Sequence, residues 1–432
     1  MLNLLHNLHT CSTSSTREQL GPQQSRTSPQ YGSRFPCRQV RDKRSTSYSA
    51  QLTREYPGIL GILLDRLQYQ FPGIQTLATI CYVLLIIFML VFGVLQLVRF
   101  AMYPAMAFRQ TATNLEEMTF WAMPIIAWST LASLTATQVS TSYWGGHGFT
   151  ISAYVFWWMG AAGAFLFAAG ICISLFRLGL AHDRTLPPSI FLPVISLLTA
   201  ASTGALIVNY GYDVSARLAM PVIIFGYFLV GYGAFLGLML YSLFFHRLVS
   251  AGFPAPAKLP GMFVLVGPMG QGAAALQLLG TAAHSKEDFL HYNKGTFLVG
   301  SAASGLDSAS ILIAMLFLGF DYFWCVIALA AVIEGAIKKQ LSYSMMWWQT
   351  IFPLATMCTA WEVLSVEMDS PTFRTLSAAL LIILFIDYFV NCGFTIFHLV
   401  KRTLLASSSK EEIEEMERKQ REERERDEEK QD

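Results

Sequence analysis

The sequence has little charge for its length. Of its 432 residues only 14% are Asp, Glu, Lys or Arg, whereas 53% are hydrophobic. A soluble protein carries about 25% charged residues. The apolar residues form long blocks, such as 76–98 and 222–245, and each block exceeds the roughly 20 residues that cross a bilayer as a helix. This composition excludes an ordinary soluble domain and predicts an all-α polytopic membrane protein in a lipid bilayer.

Signals of several other protein classes are also missing. The seven cysteines show no paired spacing and lie mostly in apolar runs, so we expect small buried side chains rather than disulfides or a metal site. His147, His284 and His291 lack Cys or carboxylate partners at ligand spacing, and we predict no metal. No nucleotide-binding loop or nucleophile–base pair is recognisable, so we expect neither an enzyme nor a cofactor. The net charge of +1 gives no reason to expect a nucleic acid partner.

Charge divides the chain into three segments. Residues 1–55 are polar, rich in Ser and Arg, and predicted to be disordered. Residues 56–402 form the predicted transmembrane transporter domain, and residues 403–432 form a charged tail whose alternating charges indicate a solvated helix or a disordered segment. The two ends, 1–56 and 401–432, hold 17 of the 30 basic residues, so few remain within the membrane domain.

Hydropathy predicts nine spans, with a tenth indicated by the short apolar stretch 56–64. The nine are 74–102, 119–140, 149–178, 188–210, 217–246, 262–283, 296–338, 346–365 and 374–400. The positive-inside rule decides whether 296–338 is one helix or two. Counted as one, it leaves eight basic residues on the inner side: Arg99, Arg109, Arg177, Arg184, Arg247, Lys258, Lys338 and Lys339. Arg66, Arg217, Lys286, Lys294 and Arg374 remain outside. We therefore predict ten spans with both termini cytoplasmic.

Proline separates the spans into two classes. Pro124, Pro193, Pro268 and Pro353 lie one in each odd-numbered span from the third onward. The even spans have no interior proline, since Pro221 is predicted to lie in the first turn of span six, where proline is tolerated. A helix with freed carbonyls survives in lipid only against protein or a water-filled cavity. The odd spans should therefore line a central pore and the even spans surround them, as five helical hairpins.

Four stretches resemble one family of transporters. Gly-Pro-Met-Gly-Gln-Gly at 267–272, together with 120–131, 153–162 and 347–357, is similar to the fungal sulfite efflux pumps of the tellurite-resistance/dicarboxylate transporter family. That family includes malate permeases, bacterial tellurite-resistance channels and plant guard-cell anion channels. The resemblance implies ten helices with quasi-fivefold symmetry, a homotrimer with one pore per subunit, and residence in the plasma membrane. It also makes Phe352 the pore gate, with Pro353 kinking the helix beside it.

The resemblance gives the 267–272 motif a role in anion passage. We predict that Gly267, Pro268 and Gly270 break a pore helix so that backbone dipoles and the Gln271 amide face the anion, with hydroxyls contributed by Thr130, Thr203 and Thr356. The alternative is a glycine patch for close helix packing, but packing requires neither proline nor glutamine. The pore spans contain no deep Lys or Arg, so anions should bind weakly and leave quickly, as conduction requires.

The substrate implied by the motif is sulfite, and malate or another C4-dicarboxylate is the alternative. A dicarboxylate would favour a pair of basic side chains, and none is apparent in the pore spans.

Four acids lie within the apolar spans: Asp307, Asp321, Glu334 and Asp387. Such residues are functional candidates by default. All four belong to even spans, so we predict span-end positions or neutral hydrogen-bonded packing outside the ring rather than a proton relay. Contact with a neighbouring subunit is a further interpretation for Asp387, which has Asn391 one turn later.

The first helix departs from the family pattern, because residues 54–73 keep only its second half, including Gly58. A mis-predicted start or splice site is the favoured interpretation, ahead of a disordered tail on a truncated variant and a mitochondrial transit peptide. A shortened first helix would expose backbone and pore surface to lipid, so we expect weak or absent transport from the chain as it stands. A non-transporting truncated paralogue is therefore a further hypothesis.

Overall fold

The computed structural model describes residues 56–178, 186–284 and 286–401. The predicted N-terminal segment 1–55 and the predicted C-terminal tail 403–432, with Cys11 and Cys37, lie outside these ranges. The described α-helices are α1 Tyr56–Arg66, α2 Ile74–Met102, α3 Pro104–Thr113, α4 Leu115–Thr119, α5 Ala122–Leu134, α6 His147–Leu178, α7 Leu192–Tyr210, α8 Ala216–Ala251, α9 Gly267–His284, α10 Asp288–Tyr292, α11 Gly300–Ile337, α12 Ile351–Glu367 and α13 Pro371–Val400.

Seven described segments are long and apolar enough to cross a membrane. They are Ile74–Met102, His147–Arg177, Pro188–Tyr210, Ala216–Ala251, Pro256–His284, Gly300–Ile337 and Pro371–Val400. The other three predicted spans correspond to α1, α5 and α12, which have 11, 13 and 17 residues. The apolar stretch predicted at 296–338 forms one uninterrupted helix, α11, as the charge distribution predicts.

Burial divides the long spans into inner and outer helices. The most apolar 18-residue window is 100% buried in the spans that contain α7 and α9, but only 17–44% buried in α2, α6, α8, α11 and α13. Both classes are apolar all round, so hydropathy alone does not separate them. The inner helix α7 is rich in Ala, Ser, Thr and Gly, which permit close backbone approach, whereas α2 presents large aliphatic side chains. The inner and outer classes predicted from proline are confirmed for these long spans.

The inner helices run in the same direction. A Cβ on Gly267 in α9 would lie 3.0 Å from Ile195 in α7 and 3.7 Å from Pro353 in α12. Farther along, the Gln271 amide bonds the Ser202 hydroxyl. Near the far end Asn209 donates to the Leu278 carbonyl at 2.8 Å. Because the contacts advance together along α7 and α9, these two helices are parallel.

Helices α1 and α5 follow the same direction. The Tyr56 ring stacks on Trp348, just before α12, with 5.3 Å between ring centroids. Ten residues later the Arg66 guanidinium lies 3.8 Å above the Tyr210 ring, at the end of α7. A Cβ on Gly58 would come within 2.7 Å of the Thr130 side chain in α5, and a Cβ on Gly61 would lie 3.8 Å from Leu134 at the end of α5, so α1 and α5 are parallel. The start of α1 thus lies with the start of α12, and its end with the end of α7.

The prolines begin helices rather than interrupt them, which differs from the expected kinks. Pro193 and Pro268 are the second residues of α7 and α9, and Pro124 and Pro353 are the third residues of α5 and α12. In the first turn the missing N–H has no intrahelical partner to lose. The span breaks lie just upstream, where 3₁₀ segments Pro188–Phe191, Pro256–Leu265 and Met345–Thr350 precede α7, α9 and α12. Pro221 is the sixth residue of α8 and lies inside that helix, so the prediction that it belongs to the first turn, and that the even spans have no interior proline, is wrong.

Candidate anion path

Three inner helices meet at the Gly-Pro-Met-Gly-Gln-Gly motif. A Cβ on Gly270 would lie 2.7 Å from the Thr356 hydroxyl and 2.9 Å from the Met357 backbone nitrogen. Such distances are shorter than any ordinary van der Waals contact, so only glycine fits between α9 and α12. The Thr356 hydroxyl lies 3.3 Å from the Gly267 carbonyl and 2.6 Å from that of Pro353, so it has acceptors on both helices.

Gln271 is the polar side chain at this level. Its amide nitrogen donates to the Ser202 hydroxyl on α7, which lies 3.1 Å from the Thr199 carbonyl. Its amide oxygen is buried and has no hydrogen-bond partner within the described residues. Rotating the amide by 180° lets the oxygen accept from Ser202 and leaves the nitrogen as a donor. Gln271 thus has two arrangements, and one of them presents an N–H₂ group to an anion.

The predicted hydroxyls are oriented toward their own helices. Thr130 donates to the Ile126 carbonyl at 3.0 Å, and Thr203 donates to Thr199 at 2.7 Å. A hydroxyl has one hydrogen, so in this arrangement Thr130, Thr203 and Thr356 present lone pairs rather than donors. Each hydroxyl must rotate before it can bind an anion, at the cost of the bond to its own carbonyl.

Nearly all the residues predicted to line the path are buried in this arrangement. Phe352, the second residue of α12, is 4% exposed and Gln271 is 3% exposed. Gly58, Pro193, Pro268, Pro353 and the motif glycines are buried as well. Pro124 differs, because it is half-buried at the start of α5. Water therefore reaches almost none of the side chains around the motif, and an anion could pass only after these groups move.

The placement predicted for the four acids is wrong for two of them. Asp321 is fully buried, and its carboxylate would lie 3.2 Å from a Cβ on Gly270. The Asp307 carboxylate, 14 residues earlier on α11, would lie 2.6 Å from a Cβ on Gly280. Both project from an outer helix onto α9, because a 14-residue separation returns to the same helix face.

The other two acids match the predicted alternatives. Glu334 lies in the last turn of α11, is exposed and pairs with Lys338. Asp387 accepts hydrogen bonds from Thr350 at 2.5 Å and from the Asn391 amide at 2.9 Å. Its carboxylate is therefore satisfied by packing within the chain.

Inspection of the sequence missed Glu362, a buried acid on the inner helix α12. Its side chain is 2% exposed, and neither carboxylate oxygen has a hydrogen-bond partner among the described residues. The charges that act on it are those of Arg66 and Asp65 at the end of α1, a helix that packs against α12. A signal was available, since Glu362 falls within an odd span, but its position near the span end is equally typical of an interfacial residue.

An open cavity of about 520 Å³ lies where α1 and α7 end. Its lining includes Asp65, Arg66, Thr137, Gln138, Thr141 and Tyr210. One wall is the π-helical segment Thr135–Val139 that continues α5. Phe352 and Glu362 are ten residues apart on α12, so the predicted gate position and Glu362 lie about 15 Å apart along the helix axis.

Comparison with known proteins matches most of the membrane domain to one family. Residues 57–396 match the voltage-dependent anion channel family. A sulfite efflux pump of Arthroderma benhamiae is 26% identical over 320 residues, which cover 74% of this chain and 81% of the pump. The sulfite efflux pump of Trichophyton rubrum is 25% identical over the same coverage. A malic acid transport protein of Schizosaccharomyces pombe is 24% identical over 336 residues, 77% of this chain and 73% of that protein.

Proposed function

This chain belongs to the voltage-dependent anion channel family, and we propose that it moves small anions across the plasma membrane, with sulfite efflux as its function. The observation that carries the proposal is the arrangement around Gln271, where its amide and the Ser202 and Thr356 hydroxyls come together without a Lys or Arg. The Asp321 carboxylate lies at the edge of this group, beside Gly270. Polar groups without a full charge bind an anion weakly enough to release it. The similarity to two sulfite efflux pumps favours sulfite.

The architecture proposed with this function is ten helices arranged as five hairpins. The parallel inner helices α1, α5, α7, α9 and α12 would enclose the path, and the longer outer helices would face lipid or a second subunit. Exposed apolar side chains along α2, such as Leu90 and Leu97, suit a lipid environment. We infer a homotrimer with one path per subunit, with Phe352 as the gate and both termini cytoplasmic.

Malate or another C4-dicarboxylate is the second candidate substrate. The observation that favours it is the similarity to the malic acid transport protein over three quarters of the chain. Against it stands the lack of a second cation beside Arg66 in the described lining of the cavity, because two carboxylates are held best by two basic groups.

Transport assays of the purified full chain separate these substrates. We expect reconstituted vesicles to release sulfite faster than malate, with both rates above those of empty vesicles. Faster release of malate than of sulfite would instead indicate dicarboxylate transport. A variant with bulky Gly270→Leu at the contact between α9 and α12 serves as the matched inactive control, since its side chain cannot fit between these helices.

The departure of residues 54–73 from the family pattern motivates a third hypothesis, a non-transporting protein. A shortened first helix would expose backbone and pore surface to lipid. If neither anion is released, the same assay repeated with an apolar helical extension before Tyr56 decides the matter. Recovery of sulfite release would assign the loss to the first helix, whereas continued inactivity would support the non-transporting function.

A further inference from the structure

The cavity at the end of α1 holds an unusual charge arrangement. Arg66 is the only cation among the described residues that line it. The Asp65 carboxylate accepts hydrogen bonds from the guanidinium Nε, at 2.9 Å, and from one Nη. The guanidinium carbon lies 3.8 Å from the centroid of the Tyr210 ring. These contacts fix the plane of the guanidinium, and its second Nη has no hydrogen-bond partner among the described residues. A planar, immobilised guanidinium is well suited to an oxyanion.

Neutral donors surround this cation. The amide of Gln138 is buried, and neither its nitrogen nor its oxygen has a partner within the described part of the chain. Thr137 and Thr141 line the same cavity. An unpartnered buried amide costs about 1–3 kcal/mol, and an oxyanion accepting from its N–H₂ group would recover part of that cost. Gln138 is therefore the expected second donor to a ligand bound at Arg66.

Glu362 changes the net charge beside this cavity. With Asp65 and Glu362 both ionised, the charges of these two acids and Arg66 sum to −1, which opposes an incoming anion. With a proton on Glu362 the sum is zero, and the guanidinium then attracts an anion. Burial also favours the protonated acid whenever no partner is present.

We propose that the cavity is an oxyanion-binding vestibule anchored by Arg66, and that an anion binds there together with a proton on Glu362. This inference rests on the proposed function, because it assigns the vestibule to the same anion path. The Phe352 gate would lie at the opposite end of α12, so anion and proton would be taken up or released together at the Arg66 end.

Among the described residues, few polar groups lie near Glu362. From α1 they are Arg66 and Asp65, and from its own helix Cys358, one turn earlier. Helix α9 presents the Gln277 amide, which lies 3.5 Å from the Ala360 carbonyl, and α13 presents the Ser377 carbonyl that Cys358 contacts at 3.3 Å. Neither of these titrates. A pH dependence of anion binding that is lost in Glu362→Gln therefore reports on Glu362.

Nitrate is the probe for the test, because it keeps one charge from about pH 5 to about pH 8. Its binding to the purified full chain is measured as the rise in thermal unfolding midpoint with nitrate concentration. We expect the apparent Kd to increase by up to about tenfold per pH unit once the carboxyl ionises. Glu362→Gln should keep the tight binding and lose the pH dependence. Glu334→Gln, the same change on an exposed acid, should leave the pH dependence intact.

The cation is tested in parallel. We expect Arg66→Gln to raise the nitrate Kd by about tenfold or more, and Arg66→Lys to raise it less. Arg374, which pairs with Asp369 as Arg66 does with Asp65, supplies the control Arg374→Gln, with no expected change. A variant that does not fold is identified by its loss of the unfolding transition, and Arg66→Lys then carries the comparison.

The results distinguish this inference from the proposed function. The vestibule inference would be overturned, even if sulfite is transported, by unchanged nitrate binding in both Arg66 variants. It would also be overturned if Glu362→Gln and the unsubstituted chain showed equal pH dependence of nitrate binding. Arg66-dependent nitrate binding in a chain that releases neither sulfite nor malate would uphold the site and reject the proposed function.

Discussion

Gly270 offers the sharpest test of how closely the inner helices pack. A methyl group there would lie 2.7 Å from the Thr356 hydroxyl, 2.9 Å from the Met357 nitrogen and 3.2 Å from the Asp321 carboxylate. The Met357 nitrogen is backbone. The Thr356 hydroxyl lies 2.6 Å from the Pro353 carbonyl and cannot rotate away without losing that acceptor. Because the three atoms cannot yield together, Gly270→Ala should force α9 and α12 apart.

The magnitude follows from two opposing contributions. Overpacking of this kind costs about 1–3 kcal/mol, while replacing a helical glycine by alanine gains about 1 kcal/mol. We expect a net loss of roughly 1–2 kcal/mol for Gly270→Ala. At Gly319 on α11 an added Cβ meets no heavy atom within 4 Å. Gly319→Ala should therefore gain up to about 1 kcal/mol.

Thermal unfolding of the two variants in one detergent compares them directly. We expect the midpoint of Gly270→Ala to fall, and that of Gly319→Ala to stay level or rise, by on the order of 2 °C per kcal/mol. Equal or higher stability of Gly270→Ala would contradict this expectation, since it would mean that α9 and α12 are farther apart than in this structure.

Three further predictions concern the gate, the motif amide and a loop acid. Phe352→Ala should raise sulfite release about tenfold or more by removing the side chain that closes the path, whereas Leu354→Ala should change it little; similar rates for the two would reject Phe352 as gate. Gln271→Leu should lower the maximal rate because the amide donor is lost, and Ser202→Ala should preserve transport by freeing that donor; the reverse order in vesicle assays would exclude the amide. Burial raises the pKa of Asp288, in the loop helix α10, to about 6, against the lowering effects of His291 and Lys286. Because the folded pKa exceeds the unfolded value, its contribution is complete below about pH 4 and is lost as the pH rises through about 6, by up to about 3 kcal/mol. Unfolding midpoints of the unsubstituted chain should thus fall relative to Asp288→Asn across this interval, and parallel curves would contradict the assignment.

The inner and outer helices could be predicted because proline and small residues mark them in the sequence. Pro193 and Pro268 each identify a fully buried span, and the basic residues at 338 and 339 predict that α11 is a single helix. The positions of the helix breaks could not be predicted, since they depend on short 3₁₀ segments that have no distinct hydropathy. Pro353 therefore suggested a kink where the chain begins a new helix.

The burial of the intramembrane acids could not be predicted from the sequence pattern. Asp321 and Glu334 lie on the same apolar helix, yet one is fully buried against Gly270 and the other is exposed and paired with Lys338. Their difference follows from the rotation of α11 against α9, which a nearly uniform apolar helix does not encode. Glu362 acquires its significance only from the end of α1, nearly 300 residues earlier in the chain.

The central claim is that the inner helices enclose the anion path, and chemical access to Thr203 tests it most directly. In a chain whose native cysteines are replaced by serine or alanine, Thr203→Cys is treated with a charged anionic thiol reagent during sulfite release. The account predicts slow reaction with Phe352 present, rapid reaction and block of release once Phe352→Ala is added, and no reaction of Val326→Cys, which lies on the outer surface of α11. The path would lie elsewhere if release continued unchanged after Thr203→Cys had reacted. The same would follow if Thr203→Cys stayed unreactive while Phe352→Ala made release faster.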